Sequence, residues 1–408
     1  MNNRYSVAIA SKTPTQLPSS LPRRQRGVAL LATLILVLAV TLILGNIFYR
    51  HQIDVSQATG SLHGDQAVLL AISAESWARD LLSADNDDPK VDHFGEDWAQ
   101  AIPLLPVDGG TLVGCLIDLQ SRININTFAS YTDSALTAER ESSAVGLAKV
   151  WESLLTDMDY LVDQSRVPVI IDWLDIGDGL INPAGAEQTD YSNYSPQRFP
   201  ANNLIADPAE LAAMAGYSLA EVQRLLPWIT ALPHSTTINI NTAPAPILMA
   251  LSDGMGSDFV DLVVDNRPFS TLQEFYQALD IRLMVGEGPL ALRWPSKLID
   301  VKSDFFQLNL EVTLGQSKLE VKSIMQRGSL SRPAVIRREI TAVPAGVTTV
   351  PFGPSDLDND LGADNRDELD SSNRDAGRFD ADESSEAGDA YYLRPLCDIT
   401  DNNTAGNF

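Results

Sequence analysis

The chain of 408 residues is 44% hydrophobic and carries a formal net charge of -25, with 54 acidic against 29 basic side chains. That length and apolar content allow two folded units plus tails and exclude disorder throughout. The charge excludes a nucleic-acid backbone or an anionic membrane surface as the main partner, since both would repel it.

The first 27 residues read as a polar leader ending in Arg23, Arg24, Gln25, Arg26 and Gly27. From Val28 to Phe48 no residue is charged, and at about 1.5 Å per residue this run spans about 30 Å as a helix, the thickness of a bilayer core. Residues 28–48 are therefore predicted to form a transmembrane helix. The basic leader keeps the N-terminus cytoplasmic and places the rest of the chain in the periplasm. A secretory signal peptide shares this charge pattern. Here, however, the run is longer than a signal core and no small-x-small cleavage site follows. The helical pattern also continues through Ile53, Val55, Ala58 and Leu62 toward Leu69, Leu70 and Ile72.

Arg26-Gly27 before an apolar run resembles the recognition site of a prepilin peptidase, with a plain single-pass anchor as the alternative reading. The resemblance implies cleavage after Gly27 and methylation of the new N-terminus at Val28. Most pilin-like subunits carry a glutamate as the fifth mature residue, where this chain has Ala32. In that family the carboxylate neutralises the N-terminal amine of the neighbouring subunit in an apolar core, where an unpaired charge is costly. A subunit with no neighbour above it can dispense with the carboxylate, so Ala32 points to a tip position.

Residues 49–130 are expected to continue the helix and supply the first strands: Ala84–Asp108 reads as loop and Gly109–Asn126 as one or two strands. Residues 131–296 show apolar positions three and four apart, with Asp207-Pro208 marking a helix start. Strand signals return over Lys297–Gln326 and Ala334–Val343, so 297–345 are expected to complete the sheet. The remaining 346–408 are rich in Asp, Glu, Asn, Ser and Gly and are predicted to be disordered. The fold class is α+β, a pilin-like helix with an antiparallel sheet interrupted by a large helical insertion.

Ile-Asn-Ile-Asn-Thr occurs twice, at Ile123–Thr127 and Ile238–Thr242. Each copy precedes a helical stretch, so the isoleucines can pack inward while Asn or Thr caps the helix. The second copy runs through Gly254, Gly256, Arg267 and Pro268 into FSTLQEFYQAL and resembles the helix-hairpin-helix (SAM-like) domains of DNA-binding competence proteins. Asp253, Asp258, Asp261 and Asp265 stand where phosphate contact needs Lys or Arg, so nucleic acid is not expected as a partner.

Between the two copies, Asp172, Asp175, Asp178, Glu187 and Asp190 crowd a Gly- and Pro-interrupted stretch. Several carboxylates on a backbone able to turn its carbonyls inward suit a hard cation, calcium above all outside the cytoplasm. The spacing is not an EF-hand, and a solvated acidic loop whose Asp residues cap helices and turns is the plain alternative.

Asp172-Trp173-Leu174-Asp175, followed by Gly185-Ala186-Glu187, Asp190 and Tyr191, resembles the protein K family of type II secretion minor pseudopilins. Gln188 replaces an acid more common there. The resemblance, which runs from the leader to about Val343, implies calcium sites and a place at the tip of a periplasmic pseudopilus that exports folded proteins. It also implies partners: minor pseudopilins of types I, J and H, the major pseudopilin, the prepilin peptidase and the inner-membrane assembly platform.

A membrane-anchored periplasmic hydrolase is the enzymatic alternative. The chain has no GxSxG elbow, HExxH helix or phosphate-binding glycine loop, and His51, His63, His93 and His234 are scattered. No catalytic residue is assigned. Cys115 and Cys397, the only cysteines, are compatible with one bridge in an oxidising compartment or with two unpaired thiols.

Overall fold

A computed structural model describes residues 26–84, 91–100, 102–158, 166–283, 293–315, 317–328 and 332–343. The leader up to Gln25 and the tail 346–408 expected from the sequence lie outside these residues. The chain divides into two units, residues 1–62 and 63–408.

In the first unit the described chain is the opening part of helix α1 (Arg26–Ala84). Leu, Val, Ile and Ala follow one another here without charge, and α1 is long and apolar enough to cross a membrane. The Gly27–Val28 bond falls in its first turn.

In the second unit, α1 from His63 onward changes character. Ala67, Ala71 and Ala78, with Leu82, form a buried stripe at helical spacing, and alanine lets the helix backbone approach a sheet closely. That sheet has the order β1-β2-β7-β8-β9 and is antiparallel throughout. Strands β1 (Ile102–Val107) and β2 (Gly110–Asp118) form its first hairpin. Gly109 makes their turn with φ +85°, a left-handed conformation that glycine adopts freely. The sequence reading left Ile102–Val107 in a loop because Pro103 and Pro106 interrupt it, yet proline is admissible on an edge strand.

The chain then leaves the sheet. Strand β3 (Ile123–Asn124), helices α2 (Asp133–Glu141), α3 (Leu147–Asp157), α4 (Arg166–Leu174), α5 (Gln188–Tyr191) and α6 (Leu219–Leu225), and strand β4 (Ile229–Thr230) form the first half of a helical body. Strand β5 (Ile238–Asn239), helices α7 (Ala245–Leu251), α8 (Ser257–Asp265) and α9 (Leu272–Leu283), and strand β6 (Ile299–Asp300) form the second. In each half an Ile-Asn copy opens as a two-residue strand, and it pairs in parallel with the strand that closes that half, β3 with β4 and β5 with β6. β3 and β6 fall within the predicted strand stretches Gly109–Asn126 and Lys297–Gln326, but β4 and β5 were not predicted, because two-residue strands carry no periodicity. The core of the body is aromatic-rich, with Phe128, Trp151, Tyr191, Phe259, Phe275 and Trp294 each at most 1% exposed.

Strands β7 (Phe305–Leu314), β8 (Ser317–Gln326) and β9 (Ala334–Ala342) complete the sheet. Phe306, Leu308, Leu310 and Val312 of β7 all join the cluster against α1, the period-two pattern of a strand with one face on a core. Within this layer Glu75 of α1 is buried. It accepts from Arg338 Nε and Nη2 of β9 at 2.7 and 2.6 Å and from Ser323 Oγ of β8 at 2.8 Å. Burial pushes the Glu75 carboxyl up, but these hydrogen bonds and the Arg338 charge outweigh burial and hold it below its ordinary value.

Candidate functional site

Helix α4 positions the first predicted acid. Every side chain of the helix is buried, and from Val167 to Leu174 all are apolar except Asp172, which is 0% exposed. Its carboxylate organises the loop that follows: Oδ1 accepts from Ile181 N at 2.8 Å and Oδ2 from Ala186 N at 2.9 Å. The closeness explains Gly185, where a Cβ would lie 1.8 Å from Asp172 Oδ2. Trp173 meets Tyr191 edge-on at 5.3 Å, and Tyr191 Oη accepts from Ala215 N at 3.2 Å, which anchors the far end of the loop in the core.

Glu187 is buried and sits at the start of α5, where its carboxylate faces the first backbone N–H groups of the helix in a capping box with Asp190 without a close, well-aligned hydrogen bond. Its backbone N–H donates to Asp190 Oδ2 at 3.0 Å. Burial, then the charges of Asp172, Asp175 and Asp178, push the Glu187 carboxyl up to about 7. Burial also raises Asp172, to about 6, against its two backbone hydrogen bonds and with help from Asp175 and Asp190. Asp175 accepts from Gly177 N at 2.9 Å in a local turn, and Asp178 and Asp190 are exposed. The five predicted acids thus lie within one another's electrostatic reach. Among the described residues, however, no three His, Cys, Asp or Glu side chains converge as a metal-binding group. A hard cation would draw on backbone carbonyls and water besides carboxylates, and the buried Glu187 carboxylate, only loosely held by the first amides of α5, is the feature that fits one.

A cavity of about 570 Å³ lies elsewhere, bounded by Tyr131, Glu139, Gly146, Thr236 and Lys297, and none of the five acids lines it. Tyr131 Oη donates across it to Glu139 Oε2 at 2.7 Å.

Sequence reasoning took the repeated Asn residues for caps and missed their larger role. Asn124 Oδ1 does accept from Asn126 N at 3.2 Å, but the second Asn of each copy is a buried clamp. Asn126 Nδ2 donates to Ile205 O at 2.9 Å and Leu232 O at 2.8 Å, and its Oδ1 accepts from Ile205 N at 2.9 Å. Asn241 repeats the arrangement with Phe269 O at 3.0 Å, Val301 O at 3.5 Å and Phe269 N at 2.9 Å. The exact repetition of the pentapeptide was the signal that could have suggested equivalent partners.

Also unforeseen is a polar knot where the body joins the sheet. Asp118, at the end of β2, accepts from Asn239 Nδ2 at 3.1 Å, Thr242 Oγ1 at 2.5 Å and Ser303 Oγ at 2.6 Å, and from Gln120 N at 2.8 Å. Ser303 N donates to Asp92 Oδ2 at 2.7 Å, and Arg327 reaches Asp92 Oδ1 at 2.5 Å. Burial outweighs Arg327 and raises Asp92 to about 7, and burial likewise raises Asp118 against its four donors.

These features define the class: a mixed helix-and-sheet subunit on one long apolar helix, with a helical body inserted between adjacent strands of its sheet. The family model for type II secretion system protein K matches residues 121–234 with a first domain and residues 238–289 with a second. The type II secretion system protein K of Aeromonas hydrophila is 30% identical over 328 residues, which is 78% of this chain and 97% of the relative. That of Pseudomonas aeruginosa is 29% identical over 331 residues, 78% and 93% of the two chains. The chain belongs to the type II secretion system protein K family, and it is a minor pseudopilin. A chain of the crystallised GspK-GspI-GspJ complex from enterotoxigenic Escherichia coli shares the fold, with a TM-score of 0.60 at 22% identity over 70% of this chain and 99% of that one.

Proposed function

We propose that this minor pseudopilin forms the tip of a periplasmic pseudopilus and starts its assembly for the export of folded proteins across the outer membrane. The observation that carries the reading is the order of parts: an uninterrupted apolar helix continues into a sheet-packed segment, and residues 119–304 are inserted between the adjacent strands β2 and β7. So large an insertion makes a subunit hard to repeat along a tightly wound pilin-like fibre and suits a terminal place. The body lies in the periplasm, and the helix waits in the inner membrane until the assembly platform extracts it. Prepilin peptidase cuts between Gly27 and Val28, and the new N-terminus is methylated.

The solved relative, crystallised with GspI and GspJ, supports pseudopilins of types I and J as partners, with type H and the major subunit below. The acidic loop serves the body as a calcium site in which Glu187 supplies a buried carboxylate and Asp172, Asp175, Asp178 and Asp190 add charge. Bound calcium would supply charge neutralisation and loop rigidity, not bond chemistry.

Neither rival gains support. The α7–α8 turn is acidic, and its Asp253 pairs with Arg293 at 2.9 Å, which suits a scaffold better than a phosphate contact.

N-terminal sequencing of the full chain, extracted from membranes of cells with and without a prepilin peptidase, tests the assignment. A mature terminus at Val28 that depends on the peptidase, together with co-purification of I- and J-type subunits, is expected. Retention of Met1 with the peptidase present, or a terminus well beyond Phe48, would remove the reading.

A further inference from the structure

The cavity of about 570 Å³ is walled by both halves of the helical body, with α2 and the start of α3 on one side and the segments leading into β5 and β6 on the other. Its volume falls in the range of ligand pockets, about 300–1,000 Å³. On the helical side the polar groups are already satisfied. Tyr131 Oη donates to Glu139 Oε2 at 2.7 Å, and Glu139 Oε1 accepts from Lys149 N at 3.1 Å. Gly146 is required beside them, because a Cβ there would lie 1.9 Å from the Glu139 carboxyl carbon. Lys149 spends its ammonium on Ser142 O and Ala144 O, at 2.6 and 3.2 Å.

The opposite side has protons to give. Thr127 Oγ1 accepts from Thr236 N at 3.4 Å and Thr236 Oγ1 from Asn124 Nδ2 at 3.1 Å, so both hydroxyls serve as acceptors and keep their own protons unspent. Ser235 adds a third hydroxyl, and Lys297 lines the same cavity as an exposed residue. Among the described residues the Lys297 ammonium meets no carboxylate, although acids outnumber basic side chains by 54 to 29 in this chain. Donors without acceptors call for a ligand rich in acceptors, and the ammonium calls for an anionic one. Ala135 and Ala138 complete the lining with exposed methyl groups three residues apart on one face of α2.

We propose that this cavity binds a short peptide segment that carries a carboxylate. The acid meets Lys297, the peptide carbonyls take the protons of Thr127, Ser235 and Thr236, and an aliphatic side chain lies against Ala135 and Ala138. Other ligands fit less well. A phosphate is held by an arginine fork or a nest of backbone amides, and the cavity lining contains no arginine. A sugar brings as many protons as acceptors to a wall already rich in protons, and a simple aliphatic acid leaves the three hydroxyls unmet. The site is independent of the calcium loop and of the place of the subunit in a fibre, and it gives the body a means of recognising a segment of another protein.

The test titrates the full chain in detergent, by isothermal calorimetry, with four probes: N-acetyl-Ala-Ala-Leu as the free acid, the same peptide as its C-terminal amide, N-acetyl-Ala-Glu-Leu amide, and 4-methylpentanoate. At least one acid-bearing peptide should bind, about tenfold or more tighter than the plain amide, the worth of one charge-assisted hydrogen bond. Binding of the free acid alone places the carboxylate at a chain end, and binding of the Glu peptide places it on a side chain. Lys297→Gln, at an exposed position, should erase the preference for acid over amide at an unchanged unfolding midpoint, and Lys297→Arg should retain it. Ala138→Trp should abolish binding by filling the cavity, and if that chain unfolds the two Lys297 variants decide. Three results would each overturn the site: no peptide binding at millimolar concentration, 4-methylpentanoate binding as tightly as the acid-bearing peptides, or a Lys297→Gln chain that keeps the preference. None of them bears on processing at Gly27, so this site and the pseudopilus reading fail separately.

Discussion

Asp172 is pulled in two directions: burial favours its neutral form, while the Ile181 and Ala186 amides favour the carboxylate. Asp172→Asn keeps one acceptor and aims an amide donor at the other N–H. The expected loss is about 1–3 kcal/mol of stability, read as a lower denaturant midpoint at unchanged slope. The pH dependence has a definite sign. Asp172 rises from 3.8 to about 6, Glu187 from 4.5 to about 7 and Asp92 from 3.8 to about 7. For an acid raised on folding, the contribution is fully present below the unfolded value and is lost as pH climbs through the folded one. In chelator the unfolding temperature should therefore fall between about pH 4 and pH 7. Millimolar calcium should recover part of it at pH 7 and little at pH 5, where Glu187 is protonated and cannot bind the ion. A scan with no calcium shift at pH 7 would remove the site, and the same shift in Glu187→Gln would place the ion elsewhere.

At the scale of elements, the body is stitched by side chains more than by its two-residue strands. Asn241→Ala leaves the Phe269 N–H, the Phe269 carbonyl and the Val301 carbonyl without their partner in a dry interior, which should cost about 2–4 kcal/mol. Asn126→Ala should cost a similar amount, since it holds the equivalent groups of Ile205 and Leu232. Asn241→Asp is not a rescue, because it keeps the acceptor but loses both donated bonds. Equilibrium unfolding monitored by tryptophan fluorescence would show these costs, and full stability of Asn241→Ala would refute the clamp. Between α1 and the sheet, Glu75 has the same standing. Glu75→Ala strands Arg338 and the fully buried Ser323 hydroxyl, with an expected loss of about 3 kcal/mol. Because the Glu75 carboxyl lies below its ordinary 4.5, the wild-type contribution is present above that value and fades as pH falls through the lowered one. The Glu75→Ala difference should shrink accordingly in acid.

The molecule as a whole combines a helix that avoids water with a body that carries a large negative charge. Val28–Phe48 offers no charge to water or to a protein surface, so the full chain should sediment with membranes and resist extraction by high salt or alkaline carbonate, yielding to detergent. Release by salt alone would reduce the anchor to a peripheral contact. The polar knot around Asp118 joins the body to the sheet through groups from β2, β5, the segment before β7, and Asp92. Body and sheet should accordingly melt in one transition, with calorimetric and van't Hoff enthalpies in agreement.

What the sequence determined by itself was whatever repeats at a fixed period or exceeds a fixed length. The uncharged run after Gly27 announces its helix because a bilayer sets the length. β7, β8 and β9 announce themselves because one face of a strand must be apolar, and the five acids drew attention because like charges rarely crowd without cause. Tertiary structure alone decided the rest. Pro103 and Pro106 masked β1, whose position at the sheet edge removes the usual objection to proline. The parallel pairs of β3 with β4 and β5 with β6 exist because Asn126 and Asn241 reach segments distant in sequence. Whether Glu187 is solvated or buried depends on what the folded chain lays over it. Local pattern records which surfaces a residue prefers, whereas buried hydrogen bonds depend on partners that only the complete fold brings within 3 Å.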